Sequence, residues 1–276
     1  MLSVGGIVRK SQPSLFWCTR ALPKSEREAL YTLFAFSQHI DGIVRSSMAT
    51  EEKADLLKAW REELDNIYDK GVPASNIGRK IYKNCMRFDL PKAAWKEILD
   101  SAVLNAEKPL QAPDSATLEK YINGMAVVPL KLALSVVANA HPSANEELAK
   151  NLGCAVMVTY MLRDIKDDAK SNHLYIPLEI LTEANVKIDT PRNVVENKNL
   201  AVARESFSKQ AESCFKKADR LLGKMDRNNV MALRLIKNIC YCQFEMMKKR
   251  GWEIISPKPK IGLFKSIGII YQTMFK

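Results

Sequence analysis

Asp164 and Asp168, in the stretch LRDIKDD at 162–168, stand four residues apart. On an α-helix that spacing puts both carboxylates on one face, where they can share a cation. Followed backwards, the same stripe passes Tyr160, Met157 and Gly153, so an apolar lane leads into the carboxylate pair. Such a surface suits an apolar molecule with an anionic head, bridged to the carboxylates by Mg²⁺, a hard cation that prefers oxygen ligands and keeps several waters. Taken alone, the same acids also read as surface carboxylates paired with Lys166 or Lys170.

The elements that must hold this lane are helical. Helix signals recur along the chain and long alternating strand patterns do not, so the fold class is all-α. After Pro23, Ser25 and Glu28 have the spacing of a capping box and open a helix carrying Ala29, Leu30, Leu33, Phe34 and Ile40. Further helices are expected from Thr50 to before Gly71, over 75–88, and from Pro91 to about Glu107. From Ser115 a long apolar helix contains Pro129, which removes a backbone donor and predicts a kink. Ser143 and Glu146 form a second capping-box pattern, opening the helix that reaches 162–168. Pro177 starts a short helix, and a polar segment at 185–198 leads to helices over 200–224 and 228–250. No low-complexity linker or fixed-period repeat interrupts the chain, so residues 1–276 are expected to form a single domain.

Composition narrows the partner. The 276 residues carry a net charge of +11, which favours an anionic ligand or surface. The basic residues are scattered, no zinc-finger spacing occurs, and aromatics are not interleaved with the charges, so no nucleic-acid partner is expected. Cys18, Cys85, Cys154, Cys214, Cys240 and Cys242 sit mostly in apolar helical patterns and read as buried free thiols of a reducing, cytoplasmic compartment. The start lacks a secretory apolar region, and no stretch approaches the roughly 18 apolar residues of a spanning helix. In the tail, 252–276, Lys258, Lys260, Lys265 and Lys276 are mixed with Ile261, Leu263, Phe264, Ile267, Ile269, Ile270 and Tyr271. That mixture suits the edge of an anionic membrane at its inner face, and the alternative is an apolar side packed on the bundle. His39, His141 and His173 are assigned no catalytic role.

LGCAVMVTYMLRDIKDDAKSNHLYIPLE, 152–179, resembles the second aspartate-rich region of the squalene/phytoene synthase family. SLFWCTRALPKSEREALYTLFAFSQHIDGIV, 14–44, resembles the first, and FDLPKAAWKEILDS and YINGMAVVP lie between them in family order. The likeness spans nearly the whole chain and looks nearest to the bacterial hopanoid-pathway squalene synthases. It implies one isoprenoid-synthase-type helical bundle around a central cavity. It also implies Mg²⁺-dependent head-to-head joining of two prenyl diphosphates, farnesyl diphosphate being the expected substrate.

Carried over by position, the resemblance makes Asp164, Asp168 and Asp41 the metal ligands and, with Tyr175, the catalytic set. Arg20 and Arg163 become diphosphate contacts or structural partners of the aspartates, Arg45 a diphosphate contact that competes for the metal site by pairing with carboxylate or phosphate, and Met157, Tyr160 and Met161 the substrate channel. NADPH, which the resemblance leaves open, has no signature in the sequence. The chain departs from the family pattern at the first motif: beyond Asp41 it has Gly42 and Arg45 where further aspartates are usual, and Gln38 replaces an arginine. Two functions remain, a prenyltransferase and a catalytically impaired member that binds prenyl diphosphate or acts in assembly. A weaker third is a subunit completed by a related partner.

Overall fold

The computed structural model describes residues 4–11, 16, 19–137 and 142–275. Cys18, His141 and Lys276 of the sequence reading lie outside them. Regular structure among the described residues is helical: α1 (Val4–Ser11), α2 (Lys24–Arg45), α3 (Thr50–Asp65), α4 (Asn76–Phe88), α5 (Lys92–Glu107), α6 (Ser115–Ile122), α7 (Val128–Val137), α8 (Pro142–Lys170), α9 (Leu178–Glu183), α10 (Pro191–Val195), α11 (Leu200–Gly223), α12 (Arg227–Arg250) and α13 (Leu263–Phe275). A lone parallel bridge joins Gln111 to Leu174.

Two apolar clusters make the core. One gathers α8, α11 and α12 around Leu162, Phe207 and Phe244; the other gathers α2 to α5 and α7 around Phe36, Leu64 and Trp95. Met125 and Ile236 pack against both. The seam between the clusters is where a cavity opens.

The helix starts differ from the capping-box expectation. α2 begins at Lys24 with Pro23 as its cap residue, and no side-chain cap is formed, so Ser25 lies inside the first turn. α8 begins at Pro142, which likewise places Ser143 inside the helix. In both cases the fixed backbone angle of proline already directs the chain into a helix one or two residues earlier.

Pro129 acts through more than a simple kink. Between α6 and α7 the turn Asn123–Val127 is π-helical, and the Val128 N–H donates to the Asn123 carbonyl, five residues back. Proline at 129 cannot donate to residue 125 and its ring crowds that carbonyl, so the preceding turn widens. The run Ser115–Val137 is in fact long and apolar enough to cross a membrane by length and composition, contrary to expectation, yet 56% of its apolar window is buried within the fold. It is therefore a core helix.

α8 is the spine, and at 29 residues it is about 43 Å long. Gly153 lets it approach the widened turn: a Cβ there would lie 3.0 Å from the Val127 nitrogen and 3.1 Å from the Ala126 carbonyl carbon. Backbone atoms cannot swing aside, so glycine is required for this approach.

Candidate active site

The cavity along the seam has a volume of about 470 Å³, within the range of sites that bury small ligands. One wall is a lane of α2, Leu30, Phe34, Gln38, Asp41 and Arg45, spaced so that all face the same way. The other is the α8 lane, Met157, Tyr160, Met161, Arg163 and Asp164. Met125, Pro129, Leu130 and Ala133 from the proline-bearing segment and Leu233, Ile236 and Cys240 from α12 close it. Apolar side chains fill its depth, and ionised ones gather at one end.

At that end Arg45 joins the two lanes. Its Nε donates to Asp41 Oδ1 at 3.0 Å, one helical turn back, and its Nη1 donates to Asp168 Oδ1 across on α8. Asp168 is nearly inaccessible. Burial pushes its carboxyl up to about 6, against the pull of Arg45. Its second oxygen, Oδ2, is buried without a hydrogen-bond partner.

Asp164 is engaged by other cations. Arg163 grips it with two hydrogen bonds, Nε to Oδ1 at 2.9 Å and Nη2 to Oδ2 at 2.6 Å. Lys258, from the segment after α12, lies 2.7 Å from Asp164 Oδ1 and 2.7 Å from Asp167 Oδ2. Arg163 also lies over the Tyr160 ring at 4.3 Å and donates to Gln243, so its plane is fixed from three sides. Lys170 and Lys258 together hold the Asp167 carboxyl low, at about 2.

Beneath Arg45 lies a polar aromatic stack. Tyr175 is 6.0 Å below the guanidinium and stacks on Tyr121 at 5.5 Å and on His173 at 5.7 Å. Asn105 Nδ2 donates to both phenolic oxygens, and its Oδ1 accepts from the Leu110 N–H. Burial pushes the Tyr175 hydroxyl up to about 12 and His173 down to about 4. Tyr175 thus supports the face of Arg45 and does not line the cavity.

The structure brings Asp41, Arg45, Met157, Tyr160, Met161, Arg163 and Asp164 into the lining of one cavity, with Asp168 paired to Arg45 behind it. Arg20 is not among the lining residues; it is an exposed residue of the turn Thr19–Ala21, with its guanidinium 5.9 Å from the Phe16 ring. Asn105, Tyr121 and Lys258 were missed by sequence reasoning. Asn105 carried no signal in its neighbours, and Lys258 was read only as part of a basic tail.

The resemblance assigns Mg²⁺ to Asp41, Asp164 and Asp168, and that donor set does not fit the ion. Mg²⁺ demands near-octahedral oxygen ligation. Here the guanidinium of Arg45 stands between Asp41 and Asp168, and Asp164 is neutralised by Arg163 and Lys258. Among the described residues no group of three or more His, Cys, Asp or Glu side chains is placed to hold a metal.

The site is thus an apolar cavity within an all-α bundle, ending in clustered guanidinium and carboxylate groups. The family model for squalene/phytoene synthase matches residues 8–265, and the chain belongs to that family, the head-to-head prenyltransferases. Its sequence is 28% identical over 261 residues to the presqualene diphosphate synthase of Rhodopseudomonas palustris, covering 94% of this chain and 92% of that one. Its fold matches a dehydrosqualene synthase solved in complex with a ligand, with a TM-score of 0.84, 20% identity and coverage of 98% and 94%. It also matches a squalene synthase of Alicyclobacillus acidocaldarius, with a TM-score of 0.77, 17% identity and coverage of 89% and 92%. Members of the family are generally dependent on a divalent metal, which sets this chain's donor set apart.

Proposed function

We propose that the cavity binds a prenyl diphosphate of farnesyl length and that the chain acts on it as a head-to-head prenyltransferase. The observation that carries this reading is the junction of an apolar cavity with a rim presenting Arg45 and Arg163. The hydrocarbon chain is held by Phe34, Met125, Leu130 and Met157, and the diphosphate meets the two guanidinium groups, whose forked donors suit phosphate oxygens. As the allylic carbon–oxygen bond breaks, the electron pair leaves with diphosphate, and the rim cations stabilise its charge. The allylic cation is then attacked by the double bond of a second prenyl diphosphate, forming the new carbon–carbon bond, and the tertiary cation so formed gives up a proton to the released diphosphate.

A second reading is favoured by Arg45 itself. Because it commits Asp41 and Asp168 to one guanidinium, the chain is also suited to binding a prenyl diphosphate without coupling two of them. Incubation of the purified protein with radiolabelled farnesyl diphosphate, with and without Mg²⁺ and NADPH, separates the two. Released diphosphate with a hydrocarbon-linked product establishes the transferase. A thermal shift without product establishes the binding protein, and neither signal overturns both.

We infer further that the molecule works at an anionic membrane surface, in keeping with a cytoplasmic location. Phe264, Ile267, Tyr271 and Met274 lie along one exposed face of α13, with Phe264 89% accessible, and Lys260 and Lys265 flank them.

A further inference from the structure

The segment that follows α12 is built as a strap over the acidic turn of α8. Gly251, at φ +95°, turns the chain back at the end of α12. Trp252 is buried and packs against Phe244 at 5.9 Å. Arg204, itself 1% exposed, ties the strap down: its Nη1 donates to the carbonyls of Trp252 and Ile254, and its Nη2 donates to the carbonyl of Leu162 at 3.1 Å. Arg250 donates to the carbonyls of Ile254, at 3.1 Å, and of Pro257. These bonds connect the strap both to α12 and to the backbone of the LRDIKDD turn. Their combined effect is to deliver Lys258 to Asp164 and Asp167 at 2.7 Å from each.

Each acidic motif therefore already holds a cation belonging to the chain. Arg45 bridges Asp41 on α2 to Asp168 on α8, and Lys258 bridges Asp164 to Asp167. A divalent ion would have to displace a charge-assisted hydrogen bond at each place. Resting on the reading of the cavity as a prenyl diphosphate site, we propose that Lys258 is a diphosphate-binding residue delivered by the strap, and that with Arg45 it makes binding by this chain independent of divalent metal. The hydrogen bonds of Arg45 to Asp41 and Asp168 use Nε and Nη1, which leaves Nη2 to meet a phosphate oxygen. Lys258 does not itself line the cavity, but its ammonium meets the rim at Asp164, which does, and of its three rotatable donors two are engaged by the carboxylates.

The test is isothermal titration of the full chain with farnesyl thiodiphosphate, a poorly cleaved analogue, in EDTA and in Mg²⁺. Wild-type affinity is expected to agree within about threefold between the two conditions, since tenfold corresponds to one full charge-assisted contact. Lys258→Gln is expected to weaken binding in EDTA by about tenfold or more, and Mg²⁺ should restore part of the loss because Asp164 and Asp167 become available to the ion. Lys258→Arg, which keeps the charge, should bind nearly as wild type. The proposal is overturned if Mg²⁺ tightens wild-type binding by more than about threefold, or if Lys258→Gln binds as wild type does. Absence of binding in both conditions overturns the cavity reading itself, a result distinct from either of those.

Discussion

Arg45 on α2 and Asp168 on α8, 123 residues apart in sequence, are joined by a direct hydrogen bond that ties the two walls of the cavity together at its polar end. The pairing is asymmetric. Asp168 is 2% exposed, whereas Arg45 is 32% exposed and reaches the cavity. The carboxylate is therefore the buried partner that needs the bond, and the guanidinium is the one able to serve a ligand as well.

Removing the guanidinium should cost stability in a pH-dependent way. The Asp168 carboxyl, about 6 in the folded chain and 3.8 ordinarily, binds protons more strongly when folded, so its contribution to stability falls as pH rises from about 4 to about 6. Arg45→Met deletes the cation that favours ionisation, moves the folded value higher still, and extends that fall to higher pH. The variant should lose about 2–3 kcal/mol at pH 8, less than for a fully buried pair because Arg45 is partly exposed, and clearly less at pH 5. Denaturant unfolding at the two pH values measures this; an equal loss at both would show that Asp168 does not depend on Arg45.

The stack below Arg45 makes a second prediction. Asn105 is fully buried and satisfies Tyr121, Tyr175 and the Leu110 N–H together. Asn105→Leu leaves those groups without their partner in a dry environment, and the expected loss is about 2–4 kcal/mol by chemical denaturation. Tyr175→Phe removes only one hydroxyl and should cost about 1 kcal/mol while keeping the ring under Arg45. A larger loss for the tyrosine than for the asparagine would assign the stack's stability to the phenol.

The helices and the α8 lane were legible because both follow from periodicity. Asp164, Tyr160 and Met157 share a face by spacing alone, and the 3.6-residue pattern placed most helix ends within a few residues. The caps were misread where a proline sits just before the serine, since Pro23 and Pro142 set the helix start before Ser25 or Ser143 is reached. The partners of the acids were legible only in part. Local pairing with Lys166 or Lys170 was the alternative that spacing suggested, and Lys170 does pair with Asp167. Arg163 and Arg45 were expected among the partners of the carboxylates, and they pair with Asp164 and with Asp41 and Asp168; Lys258 reaches the acids on a strap held by Arg204, for which no local pattern exists. Asn105 was invisible because its role is defined by two tyrosines brought together only in the fold.

The shape of the cavity should set the length of hydrocarbon accepted. Ala133 on α7 lines the wall formed by the proline-bearing segment, so a larger side chain there takes up cavity space. Ala133→Phe is expected to weaken binding of farnesyl thiodiphosphate by about tenfold or more, as several buried methylenes lose their place, while the shorter geranyl analogue is affected less. Titration of both analogues provides the comparison. Equal weakening for the two chain lengths would locate the hydrocarbon elsewhere.

The exposed face of α13 bears on where the molecule works. The helix is seated on α12 by Asn238, which donates to Thr273 Oγ1 at 2.9 Å, and by Arg227, which donates to the carbonyls of Gln272 and Thr273. That seating leaves Phe264, Ile267, Tyr271 and Met274 facing outward. Each large apolar side chain buried in the interface adds about 1.5–3 kcal/mol at most, and each nearby lysine about 1 kcal/mol on an anionic surface. Binding should therefore need both contributions. Sedimentation with vesicles containing phosphatidylserine should carry down the wild-type chain, and vesicles of phosphatidylcholine alone should carry down much less. Replacing Phe264 and Ile267 by serine should release the protein from the anionic vesicles with little change in Tm, because both side chains are more than half exposed. Raised salt should release it too, by screening the lysines. Retention of the double variant on anionic vesicles would place the membrane contact on another face of the bundle.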